Sequence, residues 1–177
     1  MNKFFISTIL EEDEQIKPFL AKYQKRNRNF FINTLSERFS GEFDIEDRIN
    51  YYTVKDIKLG WNGLEEKPDK PIIYYLPYFL LLNLQHTKKD DVIAYMYYKD
   101  IDELKNNLIY LIDNGLKDIN VVGSKDKDDD LYFDPRFIVI KNTIPTKAFL
   151  EKVVVNNTGK WLNRLITEDK ELYAIIK

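Results

Sequence analysis

A mixed α/β or α+β fold, with one sheet of about five to seven strands and helices packed on it, is what this sequence predicts from three observations. Apolar, β-rich runs alternate along the chain with segments of helical periodicity. The run Val92–Tyr98, the helix-spaced Leu104, Leu108, Leu111 and Ile112, and the run Ile119–Val122 form a strand–helix–strand (βαβ) unit at about 91–123, with its two strands parallel. The 177 residues show no repeat and no Gly/Ser-rich or Pro-rich linker, so residues 1–177 read as a single globular domain.

Taken in order, the opening stretch through Leu10 is a first strand. Its apolar run is interrupted by Ser7 and Thr8 and meets Glu11–Glu14 too soon for a signal peptide. Ile16, Phe19, Leu20 and Tyr23 mark a helix that starts near Ile16, where Pro18 falls in the tolerated first turn. Phe30, Phe31, Leu35 and Phe39 mark a second helical face. Residues 49–58 have the Tyr, Thr, Val and Ile content of a strand, which Gly60-Trp61-Asn62-Gly63 breaks. Leu76–Gln85 fits either a short buried helix or a strand. Asp100 or Asp102 can cap the helix of the central unit, and Asn114-Gly115 ends it. Tyr132–Ile140 is a strand interrupted or begun at Pro135, Thr146–Val154 and Lys160–Ile166 are helices, and Leu172–Ile176 is a last strand.

Hydrophobic residues at 44% and charged residues at 32% exclude disordered and collagen-like classes. With no cysteine there are no disulfides, thiolate zinc sites, iron–sulfur clusters or cysteine nucleophiles, and a reducing, cytoplasmic setting fits best. The most apolar window, Ile72–Leu82, is about half the ~20 residues needed to cross a bilayer, so no membrane partner is expected. Residues 101–135 carry nine acidic against four basic side chains, a balance that disfavours a nucleic-acid partner.

Catalytic motifs are missing. His86 is the single histidine, so two-histidine metal and phosphoesterase sites are excluded. The four serines include no Gly-x-Ser-x-Gly elbow, and no glycine-rich phosphate loop is present. Lys22–Arg28 interleaves basic and aromatic residues, but its rings fall at core-facing helical spacing. No catalytic residue, metal ligand or cofactor is assigned.

Two features remain. Asp126, Asp128, Asp129, Asp130 and Asp134 form an acidic cluster that starts like a calcium loop, yet Leu131 and Phe137 stand where such a loop needs glycine and glutamate. The cluster therefore reads as an acidic surface loop between strands. Trp61, in a glycine-flanked turn, and twelve tyrosines offer large amphipathic rings of the kind that anchor interfaces. Together these features predict a non-enzymatic protein-binding module. Its expected role is that of an inhibitor or immunity protein, neutralising a basic toxin or nuclease through Asp126, Asp128, Asp129, Asp130, Asp134 and Trp61. The alternative is a divalent-metal-dependent phosphodiesterase or nuclease built on the aspartates near 118–134, Asp118 included, with Lys141 as an electrostatic aid.

Overall fold

The computed structural model describes residues 3–11, 13–24, 31–37, 49–61, 70–102, 121–125, 133–155 and 173–176. Its strands are β1 (Phe4–Leu10), β2 (Phe31–Ser36), β3 (Ile49–Thr53), β4 (Val92–Met96), β5 (Val121–Lys125), β6 (Phe133–Lys141) and β7 (Tyr173–Ile176). They join in one sheet in the order β3-β2-β1-β4-β6-β5-β7. β1 pairs in parallel with β2 on one side and with β4 on the other, and β2 pairs in parallel with β3. β6 runs antiparallel to both β4 and β5, and β5 pairs in parallel with β7. The sheet is mixed, as the sequence predicts. Both strands of the expected βαβ unit are present and point the same way, but β6 lies between them. Of the expected helix between them, Ile101 and Asp102 are described and helical, and Leu104, Leu108, Leu111 and Ile112 lie outside the described residues.

The period of two along each strand sends alternate residues into two cores. Phe5 and Ile9 of β1, Ile93 and Tyr95 of β4 and Ile138 and Ile140 of β6 face one side. There they meet α2 (Val54–Gly60), α3 (Leu76–Gln85) and α4 (Ile144–Val155). Ile6 and Leu10, Val92, Ala94 and Met96, and Phe137 and Val139 face the other side, where Ile16 and Phe19 of α1 (Asp13–Gln24) and Ile101 cover them. The result is a sheet between two helical layers.

Local chemistry explains where the elements fall. α1 begins at Asp13, earlier than Pro18 suggests, and carries that proline in its interior. Burial of Ile16 and Phe19 against the sheet holds a helix that loses one backbone hydrogen bond there. Residues 31–36 are a strand and not the expected helix. The spacing i, i+4 of Phe31 and Leu35 puts them on one face in either structure, and pairing with both β1 and β3 decides for the strand. β3 stops at Thr53 because that residue caps α2. Its hydroxyl accepts from the Asp56 amide at 3.3 Å, and the Asp56 carboxylate accepts from the Thr53 amide at 2.7 Å. α3 settles the open assignment of 76–85 as helix. It is apolar almost all round and buried almost throughout, with Pro77 in its first turn, where no backbone donor is needed.

Polar groups lock the amino-terminal edge of β1 and β4. The buried Asp91 carboxylate accepts from the Lys3 amide at 2.8 Å and from the Lys88 amide at 2.8 Å. Asn142 donates to the Leu84 and Thr87 carbonyls, both at 3.0 Å, and closes the end of α3. Removing Asp91 leaves two backbone donors without their acceptor. Asp91→Ala is therefore expected to cost about 2–4 kcal/mol, and Asp91→Asn less, as read by urea denaturation; an unchanged midpoint would contradict the role given to this carboxylate.

Tyr95 is fully buried in the middle of the sheet, and that burial, with smaller contributions from Glu11 and Tyr97, pushes its phenol far above the ordinary tyrosine range. An unfolded chain ionises tyrosine near pH ~10. The stability tied to this phenol is thus intact below about pH 10 and lost progressively above it. The urea midpoint should fall above that pH, and fall less steeply in Tyr95→Phe; parallel pH profiles for the two proteins would rule out this source.

Candidate functional site at the carboxyl edge of β1 and β4

The sheet order fixes one special place. From β1 the chain moves outward to β2 and β3, then returns to the other side of β1 as β4. Two neighbouring parallel strands whose following connections depart in opposite directions leave a crevice beyond their carboxyl ends, where ligands bind in open sheets of this kind. Here the crevice lies beyond Leu10 of β1 and Met96 of β4.

The residues at its rim come from four strands. Glu11 follows β1 and Glu37 follows β2, both exposed. Beyond β4 the chain turns through Tyr97–Asp100, with the Asp100 amide donating to the Tyr97 carbonyl at 2.9 Å. The turn is held to the incoming β6 by the Tyr97 amide, which donates to the Arg136 carbonyl at 2.8 Å. Buried Ile101 anchors its far side in the core beside α1.

Within the turn the rings of Tyr97 and Tyr98 meet edge-on at 5.0 Å between centroids. The Lys99 ammonium lies 5.5 Å from the Tyr98 ring centroid. A hydrogen bond to Tyr98, helped by the nearby Tyr97, holds the Lys99 pKa above its ordinary value, so this side chain is a permanent cation. Desolvation raises the Tyr97 phenol, which keeps its proton at neutral pH and remains a donor.

Two carboxylates at this edge stand one residue apart, and their fit to a divalent cation can be tested on the geometry. Hard cations want several uncommitted oxygens around one point. Asp100 faces the Arg136 guanidinium at 3.8 Å, and Asp102 is paired with Lys22 at the end of α1. Among the described residues no three His, Asp or Glu side chains converge. Each of these two carboxylates faces a protein cation, and among the described residues the set does not fit a metal.

The residues singled out in the sequence have different outcomes. Asp118, Asp126, Asp128, Asp129 and Asp130 lie outside the described residues, as do Lys25–Arg28. Asp134 belongs to the first half of β6, three residues before Phe137, which pairs with Met96; its backbone position is thus at the carboxyl edge. Trp61 is half-buried, with its ring edge-on to Tyr78 at 5.6 Å, and packs on the core beside α3. Lys141 pairs with Val92 at the opposite, amino-terminal edge, where its ammonium lies 3.9 Å from Asp90. That removes it from any chemistry beyond β4. Tyr97, Tyr98, Lys99 and Arg136 were not expected in a site. The available signal was a polar Tyr-Tyr-Lys-Asp turn between an apolar strand and a helix, the place where parallel-sheet proteins carry function.

Among the described residues no helix is long and apolar enough to cross a membrane. No family model matches the sequence, and no curated protein matches it. Solved structures do share its fold. The glycosyltransferase GlyE of Streptococcus pneumoniae TIGR4 matches over 100% of this chain and 46% of its own, with a TM-score of 0.54 at 12% identity. Its apo form gives 0.52 at 9% identity over the same shares. A glycosyltransferase involved in glycosylating the major capsid of PBCV-1 matches over 99% of this chain and 82% of its own, with a TM-score of 0.51 at 9% identity. The chain thus spans less than half of the streptococcal enzyme. These likenesses correct the expectation of a non-enzymatic inhibitor or immunity protein. That expectation rested on the absence of short motifs, whereas in this sheet the carboxyl edge is assembled from strand ends far apart in sequence. What these structures share with the chain is the fold.

Proposed function

We propose that the protein binds a nucleotide-activated sugar in the crevice beyond β1 and β4 and transfers the sugar to an acceptor. The observation that supports this best is the match of the whole chain to a glycosyltransferase fold whose order reversal, in this chain, carries a polar, cationic turn. The fold alone could host other chemistry, so the reading leans on what the rim residues can do.

In glycosyl transfer the bond between the anomeric carbon and the donor's phosphate oxygen breaks as a bond to the acceptor hydroxyl oxygen forms. The electron pair stays on the departing diphosphate, and the acceptor's proton passes to water. Negative charge therefore grows on the diphosphate, and a fixed cation aimed at it lowers the barrier. Lys99 and Arg136 are the cations of the turn and its neighbour strand. The cysteine-free composition suits a reducing cytoplasm.

The test is to incubate the purified protein with a panel of uridine-, guanosine- and cytidine-diphosphate sugars, water serving as acceptor, and to quantify released nucleoside diphosphate by chromatography. Release from one donor class above the protein-free control, with a donor-dependent rise in Tm, is expected. No release and no rise in Tm with any donor would overturn the reading.

A further inference from the structure

We propose that the Tyr97–Asp100 turn is a metal-free diphosphate site, in which the Lys99 ammonium and the Tyr97 and Tyr98 phenols take the role that a divalent cation would otherwise fill. The proposal rests on the reading of the crevice as a nucleotide-sugar site and specifies how its charge is met.

Each of the two described aspartates after Lys99 has a protein cation beside one of its oxygens. Asp100 and Asp102 each face a cationic side chain, Arg136 and Lys22, and so act as local counter-ions within the fold. Lys99 directly precedes Asp100 in sequence and has a different environment. Its side chain is exposed and its ammonium lies 5.5 Å from the Tyr98 ring centroid, and among the described residues no carboxylate is paired with it. Holding a lysine this way restricts its rotamers before a ligand arrives, which reduces the entropic cost of binding.

The donor geometry also suits an anion. Two tyrosine rings with centroids 5.0 Å apart and one ammonium belong to a single turn, and that turn is fixed by two backbone hydrogen bonds of 2.8 and 2.9 Å. Phenol and ammonium hydrogens are the donors that phosphate oxygens accept, and charge-assisted bonds of this type are the strong ones. A divalent cation placed here would instead meet Lys99 at close range, with no carboxylate free of a cationic partner among Asp100 and Asp102.

Isothermal titration with inorganic pyrophosphate and with uridine, guanosine and cytidine diphosphates, each in EDTA and in millimolar Mn²⁺, tests the proposal. Binding of pyrophosphate and one nucleoside diphosphate is expected, with Kd in EDTA within about twofold of that in Mn²⁺. Lys99→Ala should weaken it about tenfold or more, and Lys99→Arg should restore most of it. Tm should stay unchanged in both variants, because the side chain is exposed.

Asp100→Asn gives the sharpest contrast. Removing a carboxylate beside the anion should leave binding unchanged or up to about threefold tighter, whereas a carboxylate-held metal would make the same change abolish it. Binding only in Mn²⁺, or loss of binding in Asp100→Asn, would overturn the metal-free site while leaving the nucleotide-sugar reading intact. Lys99-dependent binding of pyrophosphate but of no nucleoside diphosphate would uphold the anion site and overturn the nucleotide reading. No binding of either probe would overturn both.

Discussion

The parallel pairing of β1 with both β2 and β4 is the constraint on which the rest of the molecule depends. It places β1 in the interior of the sheet, with its backbone tied on both edges and its side chains sealed on both faces. Apolar alternation then supplies two cores at once, Phe5 and Ile9 toward one helical layer and Ile6 and Leu10 toward the other. It also forces the connections after β1 and β4 to leave in opposite directions, which opens a crevice beyond their carboxyl ends. If β4 paired with β3 instead, the same residues would make a sheet with no such crevice.

The two edges of this central pair are built for different purposes. At the amino-terminal edge Asp91 and Asn142 satisfy backbone groups of Lys3 before β1 and of Leu84, Thr87 and Lys88 between α3 and β4, and that edge is closed. At the carboxyl edge the polar side chains stand on the surface and pair with one another. A third polar feature runs beneath α3. Asn50 donates to Asn33 at 2.9 Å, Asn33 to Ser7 at 3.4 Å, and Asn83 of α3 to Ser7 at 3.1 Å. These three strand residues share one register across β3, β2 and β1, so the row fixes pairing where an all-apolar face would tolerate slippage. Buried polarity here serves alignment, and exposed polarity at the carboxyl edge serves binding.

How much of this was legible in the sequence follows from the physics of each signal. β1, β4, β6, α3 and α4 rest on long apolar patterns and were readable, α3 with its type left open. β2 was misread because Phe31 and Leu35 satisfy both periods, and only the pairing with two neighbours separates them. The end of β3 was missed because the Thr53–Asp56 capping box sits inside a β-rich stretch. The candidate site was legible in composition but not in place. Tyr97, Tyr98 and Asp100 drew notice as strand aromatics and a helix cap, yet their value comes from the order reversal at β1. That reversal is a long-range fact, and no local window records it. Arg136 is a still plainer case, since only the antiparallel return of β6 brings it to Asp100.

The central claim is that the crevice beyond β1 and β4 is where this protein meets its ligand. The most direct measurement is amide chemical-shift mapping of ¹⁵N-labelled protein during titration with nucleoside diphosphates. Perturbations concentrated at Glu11, Tyr97–Asp100 and Arg136, with Asp91 and Asn142 unmoved, are the predicted result. Shifts centred on the amino-terminal edge, or on Trp61 and the face of α2, would contradict the claim.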